Sequence, residues 1–184
     1  MDPRKNHIQE QRTDGNEEVT GSIASAEHTR DYILWILDFH NIPLSRARII
    51  EIGSGTGYLL DSILEKWIDI VWIDARPRPF KDTLPIKEWH IESLSEIFGE
   101  RSFDAVISSN VFDTAVYNQE KEKMLTEIER VLNISGMYVG KEPNDLTLRL
   151  PECEKRIYGW WFQVFRKWYW FLADAYDFSW RINK

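Results

Sequence analysis

Apolar residues fall along this chain in two alternating patterns, short continuous runs and longer stretches with helical spacing. Tyr32, Leu34 to Leu37 and Phe39 keep helical spacing, with Ser25-Ala-Glu-His as a cap and acidic first turn and Pro43 as the stop. Ile49 to Ile52 then predicts a first strand, Tyr58 to Trp67 a helix, and Ile70 to Ile73 a second strand closed by Asp74 and the stiff loop Arg76-Pro-Arg-Pro79. Ile86 to Ile91 reads as a weaker third strand and Ala105 to Ile107 as a fourth. Glu120 to Leu132 is a helix with Met124, Leu125, Ile128, Val131 and Leu132 on one face, and Gly136 to Val139 is the fifth strand. Strands alternating with helices predict an α/β fold: a doubly wound, mostly parallel sheet with helices on both faces.

The C-terminal third is less decided. Tyr158, Trp161, Phe162, Phe165, Trp168, Tyr169 and Leu172 fit a helical stripe. The same aromatic content suits two strands. Strands are preferred, because late antiparallel strands complete such a sheet, and Asp177 to Ile182 alternates as a final one. At the other end, residues 1–24 are polar and read as an N-terminal arm, either mobile and able to order over a ligand or simply disordered. Residues 25–184 form one domain.

Composition narrows the classes. Hydrophobic content of 43% and charged content of 29% are those of an ordinary globular domain. A net charge of −7 disfavours a protein living on nucleic-acid backbone. A single cysteine, Cys153, precludes an internal disulfide and fits a reducing compartment. No apolar run is long enough to span a bilayer, and the first residues lack a signal-peptide core, so a cytoplasmic location is expected.

The chemistry concentrates in Glu51-Ile-Gly-Ser-Gly-Thr-Gly57, where an apolar strand carrying one carboxylate ends in glycines at 53, 55 and 57 and runs into a helix. Strand, glycine turn and helix N-terminus together hold a nucleotide-like cofactor against bare backbone. A dinucleotide site wants Gly-x-Gly-x-x-Gly, and Tyr58 stands where its third glycine would be.

The acidic-x-Gly-x-Gly-x-Gly segment resembles motif I of the class I S-adenosylmethionine (SAM) methyltransferases, and the resemblance runs from about His28 to Glu142. Ser102-Phe-Asp-Ala-Val-Ile-Ser-Ser-Asn110 is similar to that family's fourth strand with its Phe-Asp opening. Glu127-Ile-Glu-Arg-Val-Leu-Asn-Ile-Ser-Gly-Met-Tyr-Val139 is similar to its last helix and fifth strand, with Asn133-Ile-Ser-Gly136 replacing the usual two-glycine turn. The subgroup it looks like is the small, single-domain, type 11-like set with no inserted recognition domain. The resemblance implies a Rossmann-like fold and SAM as cofactor, with S-adenosylhomocysteine as product. It implies cofactor contacts from Glu51, Gly53, Ser54, Gly55 and Gly57, from Asp74 and Ala75 (ribose), from Glu92 and Ser93 (adenine), and from Ser109. Side chains at 53, 55 and 57 would obstruct the methionine moiety, and a carboxylate at Asp74 suits a vicinal diol.

The family has no fixed catalytic residue, because the sulfonium already activates the methyl group. Asp113, just past strand four, is the candidate base, with Asn110 and Tyr117 as candidate substrate contacts. The Asn/Asp-Pro-Pro-Tyr/Phe signature of nucleobase amino methylation is missing. A small-molecule acceptor is therefore expected first, a protein acceptor second, and nucleic acid last. A regulatory or partner-binding subunit that holds SAM without transferring its methyl group is the alternative. His90 reads as a packed histidine inside strand three, and His28 as a helix-start residue that approaches the site only if the arm folds back. Five of nine tryptophans fall between Trp160 and Trp180. Trp160, Trp161, Trp168 and Trp170 could line a pocket for a cationic acceptor, pack the last strands, or form a partner or membrane-surface face beside Arg166 and Lys167.

Overall fold

The computed structural model describes residues 15–64, 69–112, 120–142, 150, 153–158 and 162–167. The elements in chain order are α1 (Gly15–Phe39), β1 (Ile49–Ile52), α2 (Tyr58–Leu64), β2 (Ile70–Asp74), β3 (Lys87–Glu88), a 3-10 turn (Ile91–Ser93), α3 (Leu94–Phe98), β4 (Phe103–Ser109), α4 (Lys121–Val131), β5 (Leu132–Lys141), β6 (Cys153–Tyr158) and β7 (Phe162–Lys167). They build one seven-stranded sheet in the order β3-β2-β1-β4-β5-β7-β6. The pairings from β3 to β5 are parallel, and β7 runs antiparallel to both β5 and β6. This is the doubly wound, mostly parallel α/β sheet with late antiparallel strands that the sequence predicts.

Strand order reverses between β1 and β4, because β1 has β2 on one side and β4 on the other. In open sheets of this kind the crevice for ligands lies beyond the carboxyl ends of the strands at that reversal. Alternate residues of each strand then decide which side chains line it. One face carries Ile49, Ile70, Trp72, Ala105, Ile107, Met137, Val139, Phe162 and Val164 and packs on Ile33, Ile36 and Leu37 of α1 and Leu59 and Ile63 of α2. The other carries Ile50, Ile52, Ile73, Phe103, Val106, Tyr138 and Phe165 and packs on Leu94 of α3 and Met124, Leu125, Ile128 and Val131 of α4. By this alternation Glu51, Asp74, Ser109 and Lys141 belong to the α1 and α2 face at its carboxyl edge.

Several expectations shift. The first helix runs back to Gly15, through Ser25 and into the segment expected to be an arm; residues 1–14 lie outside the described ones. Its end is closed by Asn41 at φ 59°, with Asn41 N–H donating to the Asp38 carbonyl (2.9 Å) and Ile42 N–H to the Leu37 carbonyl (2.9 Å). This left-handed cap satisfies the last carbonyls one residue before Pro43 would have stopped the helix anyway. The third strand shrinks to Lys87–Glu88, two exposed residues at the sheet edge, followed by the unforeseen α3. His90 is not a packed strand residue: it follows the strand and is exposed.

The glycine missing before β5 is replaced by a side chain. Asn133 Oδ1 accepts the Ser135 N–H at 3.0 Å, and Asn133 Nδ2 donates to Asp104. An Asx turn thereby fixes the chain where a second glycine would have relaxed it. In the aromatic region the strand reading holds for Phe162–Lys167, and a strand not foreseen, Cys153–Tyr158, pairs with it. The expected final strand at 177–182, and the tryptophans 160, 161, 168 and 170, lie outside the described residues.

Candidate functional site

Continuous burial makes β1 unusual among carriers of a carboxylate. All four of its residues are buried, and Glu51 is only 2% exposed. Its Oε2 has no hydrogen-bond partner, and neither do the buried Ser54 Oγ and Trp72 Nε1. Trp72 is Glu51's neighbour across the β1–β2 pairing, and Ser54 follows it by three residues. Both groups sit near enough to favour the ionised carboxylate, yet neither reaches hydrogen-bond geometry. Burial, with the charge of Asp74 second, therefore dominates and pushes Glu51 up to about 8. Three orphaned polar atoms, two acceptors or donors and one strict donor, face one another beneath the glycine bend.

The bend itself is tied to β2. Asp74 is buried, and its two oxygens accept main-chain hydrogen bonds on opposite sides: Oδ2 from Gly55 N–H (2.9 Å) and Oδ1 from Arg76 N–H (2.6 Å). Ser54 N–H donates to the Ile73 carbonyl at 3.0 Å. The 76–80 loop closes on the same bend, with Arg78 N–H donating to the Gly55 carbonyl (3.1 Å) and Phe80 N–H to the Thr56 carbonyl (2.9 Å). Phe80 stacks on Tyr58 at 4.3 Å, and Lys81 pairs with Asp61 at 2.7 Å. Ala75, half-buried, links Asp74 to Arg76.

All three glycines have positive φ, but what surrounds them differs. A Cβ on Gly53 would strike Val111, and one on Gly57 would meet Leu84 Cδ1 at 2.6 Å. Only at Gly55 does a Cβ point into open space, its nearest neighbour being the Gly53 carbonyl at 3.8 Å. At Gly53 and Gly57 packing within the protein already excludes a side chain, whatever a ligand requires. Gly53 and Gly57 are packing glycines, and Gly55 is the one that leaves bare backbone facing outward.

Around the carboxyl edge, Ser109 is half-buried and pairs with Lys141. Asn110 is exposed, with φ 55°, and donates its N–H to the Lys141 carbonyl at 2.8 Å, turning the chain out of β4. Glu92 and Ser93 lie on the 3-10 turn that follows β3, the strand paired with β2 at Asp74. Glu92 lies close enough to Glu120 to raise that carboxyl, through side-chain hydrogen bonding first and like charge second. Asp113 and Tyr117 lie outside the described residues. The structure therefore brings together Glu51, Gly53, Ser54, Gly55, Gly57, Asp74 and Ala75.

Two groups that sequence reasoning passed over belong to this edge. Glu142 is fully buried and accepts from Ser108 Oγ (2.8 Å), Val111 N–H (3.1 Å) and Phe112 N–H (3.2 Å), fixing the start of the loop after β4. Ser108 also shares a 2.7 Å hydrogen bond with Tyr138, whose phenol is pushed far up by burial and then by the Glu142 charge. Lys141 donates to Thr29 of α1 at 2.8 Å. No motif announces either residue; the signal was only a charge at the end of an apolar strand. Among the described residues no cluster of three or more His, Cys, Asp or Glu is placed to hold a metal ion, and no helix is long and apolar enough to cross a membrane.

Residues 50–140, from β1 through β5, match the family model described as a methyltransferase domain. No curated protein matches the chain in sequence. Among solved structures, the chain is similar to the 1,6-didemethyltoxoflavin-N1-methyltransferase of Burkholderia thailandensis, solved with 1,6-didemethyltoxoflavin and S-adenosylhomocysteine, at TM-score 0.57 and 14% identity over 88% of this chain and 86% of that one. It is similar to the CurJ carbon methyltransferase at TM-score 0.50 and 17% identity, covering 77% and 54%. A SAM-dependent methyltransferase of Archaeoglobus fulgidus gives TM-score 0.49 and 16% identity over 65% and 55%. The chain thus spans about half the length of the latter two proteins (54% and 55%). At these identities the likeness is one of fold. Motif, sheet order and family match converge: residues 50–140 match a methyltransferase domain, and the fold is the Rossmann-like one of SAM-dependent methyltransferases.

Proposed function

We propose that this protein binds SAM at the carboxyl edge of β1 and β2 and transfers its methyl group to a small molecule. The observation that carries the reading is the Asp74 Oδ2 to Gly55 N–H bond, which joins the acidic end of β2 to the glycine bend in one site. The site suits the cofactor on three further counts. Bare backbone at Gly55 faces open space. A buried, unpartnered carboxylate oxygen at Glu51 fits an ammonium. Each Asp74 oxygen, already accepting one main-chain bond, keeps a lone pair for a ribose hydroxyl.

When bound, SAM supplies an electrophilic methyl carbon on its sulfonium. The chain's part is to hold that carbon in line with a nucleophile and exclude water. Glu51, Ser54 and Gly55 would hold the amino-acid end, and Asp74 with Ala75 the ribose. Glu92 and Ser93 are our proposed adenine contacts, and Ser109 a cofactor contact at the β4 end. Asn110 and Tyr117 are proposed to meet the acceptor. Asp113 is the proposed base, needed only for an acceptor that keeps its proton. The segment between Lys141 and Cys153 leaves no room for an inserted recognition domain, which favours a small acceptor over a macromolecule.

The test is radiolabelled methyl transfer from SAM into fractionated cell extract, with Asp74→Ala as control. Label should enter a low-molecular-mass fraction and vanish with the variant. Normal labelling by the variant would overturn the cofactor assignment, and SAM binding with no transfer into any fraction would favour a regulatory, non-catalytic protein.

A further inference from the structure

The last residue of β5 is a lysine with no acidic partner among the described residues. Lys141 is half-buried, and its ammonium donates to the hydroxyl of Thr29, itself buried on α1. Among the described residues no carboxylate stands within ion-pair distance of it. An ammonium has three protons to donate, and a threonine oxygen takes one. Burial pushes the Lys141 amine down from its ordinary range, and a desolvated cation with a single neutral partner costs free energy that an uncharged residue would avoid.

Its position says what that cost serves. Lys141 pairs with Ser109 on β4, Ser108 pairs with Ile52, and so Ser109 stands level with Gly53. These residues form one row across the carboxyl edge. Neighbouring strands are about 4.8 Å apart, so Lys141 begins roughly 10 Å from the glycine bend. Ser109 of β4 fills the row between them, so a molecule bridging the two would lie over the carboxyl ends of β1, β4 and β5. On the far side of the row Phe162 pairs with Lys141, and Tyr32 of α1 stacks on Phe162 at 4.4 Å, giving the row an aromatic end.

Resting on the cofactor reading above, we propose that Lys141, steadied by Thr29, is the anchor for an anionic group on the acceptor, a carboxylate or a phosphate, and so selects acidic small molecules. The acceptor's anion takes the ammonium protons that no described residue accepts, and its body lies over Ser109, between Lys141 and the bend.

The test is anion binding at Lys141 itself. Lysine side chains are labelled with 13C, the Lys141 signal is assigned by its loss in Lys141→Met, and benzoate or inorganic phosphate is added with and without saturating S-adenosylhomocysteine. The Lys141 signal should move saturably with one or both anions. Calorimetry should show affinity falling at least tenfold in Lys141→Met and less than threefold in Lys141→Arg, while S-adenosylhomocysteine affinity stays within twofold in both. Response to benzoate alone assigns a carboxylate, and to phosphate alone a phosphate. A Lys141 signal unmoved by either anion, or equal anion affinity in Lys141→Met, would overturn the proposal. Because the anion arms run without the cofactor product as well, a protein that fails to bind S-adenosylhomocysteine yet binds anions at Lys141 refutes the cofactor reading and leaves the anchor standing.

Discussion

Replacing Glu51 with glutamine removes a buried charge while keeping shape, and its effect is set by the pKa of about 8 that burial imposes. In the unfolded chain this carboxyl titrates near its ordinary 4.5. Between those values the unfolded state releases the proton and the native state keeps it. Stability from this group is therefore full below pH 4.5 and falls by about 1.4 kcal/mol per pH unit above that. The loss ends near pH 8, where the native carboxyl ionises too. Between pH 5.5 and 8 the wild type should lose about 3 kcal/mol relative to Glu51→Gln, with every other titrating group cancelling in the difference. Urea unfolding of both proteins across that range, followed by tryptophan fluorescence, measures it. The variant should become progressively more stable than the wild type, and the gap should level off above pH 8. A gap independent of pH would refute the burial argument. The same group reports on ligand: S-adenosylhomocysteine placing its ammonium beside Glu51 should release close to one proton at pH 7 in the wild type and none in Glu51→Gln.

The three remaining expectations separate packing from binding. Gly57→Ala should cost about 2–4 kcal/mol in urea unfolding, from a left-handed backbone and a Cβ 2.6 Å from Leu84 Cδ1. Gly55→Ala should cost only about 1–2 kcal/mol, since it meets open space, yet weaken S-adenosylhomocysteine at least tenfold in calorimetry. Glu142→Ala should cost about 3–5 kcal/mol by the same unfolding assay, because it removes the fully buried carboxylate to which Ser108 Oγ and the Val111 and Phe112 N–H groups donate.

The parallel core was readable because buried strands leave nearly unbroken apolar runs, as in Ile49 to Ile52, and amphipathic helices leave a stripe, as in Met124, Leu125, Ile128 and Val131. The glycine bend and Asp74 were readable as a motif, but not the bond between them, which depends on how β2 lies against β1. The third strand was read too long, as Ile86 to Ile91, because an exposed two-residue edge strand has no apolar signal to bound it. His90 was misplaced for the same reason: the strand expected to bury it ends two residues earlier. The Phe162 to Lys167 stretch satisfied two periodicities, and only pairing with β5 decides between them. Glu142 and Lys141 were illegible because a lone charge after a strand acquires meaning only from what the fold brings to it, Ser108 and the 111–112 backbone in one case and Thr29 in the other. The roles of Asp113 and Tyr117 rest on sequence alone.

Calorimetric titration of S-adenosylhomocysteine into the wild type and Asp74→Asn bears most directly on the union of the glycine bend with the end of β2. Asparagine can still accept the Gly55 N–H but loses the charge and one acceptor needed for a ribose diol. The wild type should bind with one-to-one stoichiometry and the variant at least thirtyfold more weakly, while unfolding at a lower urea concentration because one amide oxygen cannot accept from both the Gly55 and the Arg76 N–H groups. Equal affinity in the two proteins, or no binding by the wild type, would contradict it.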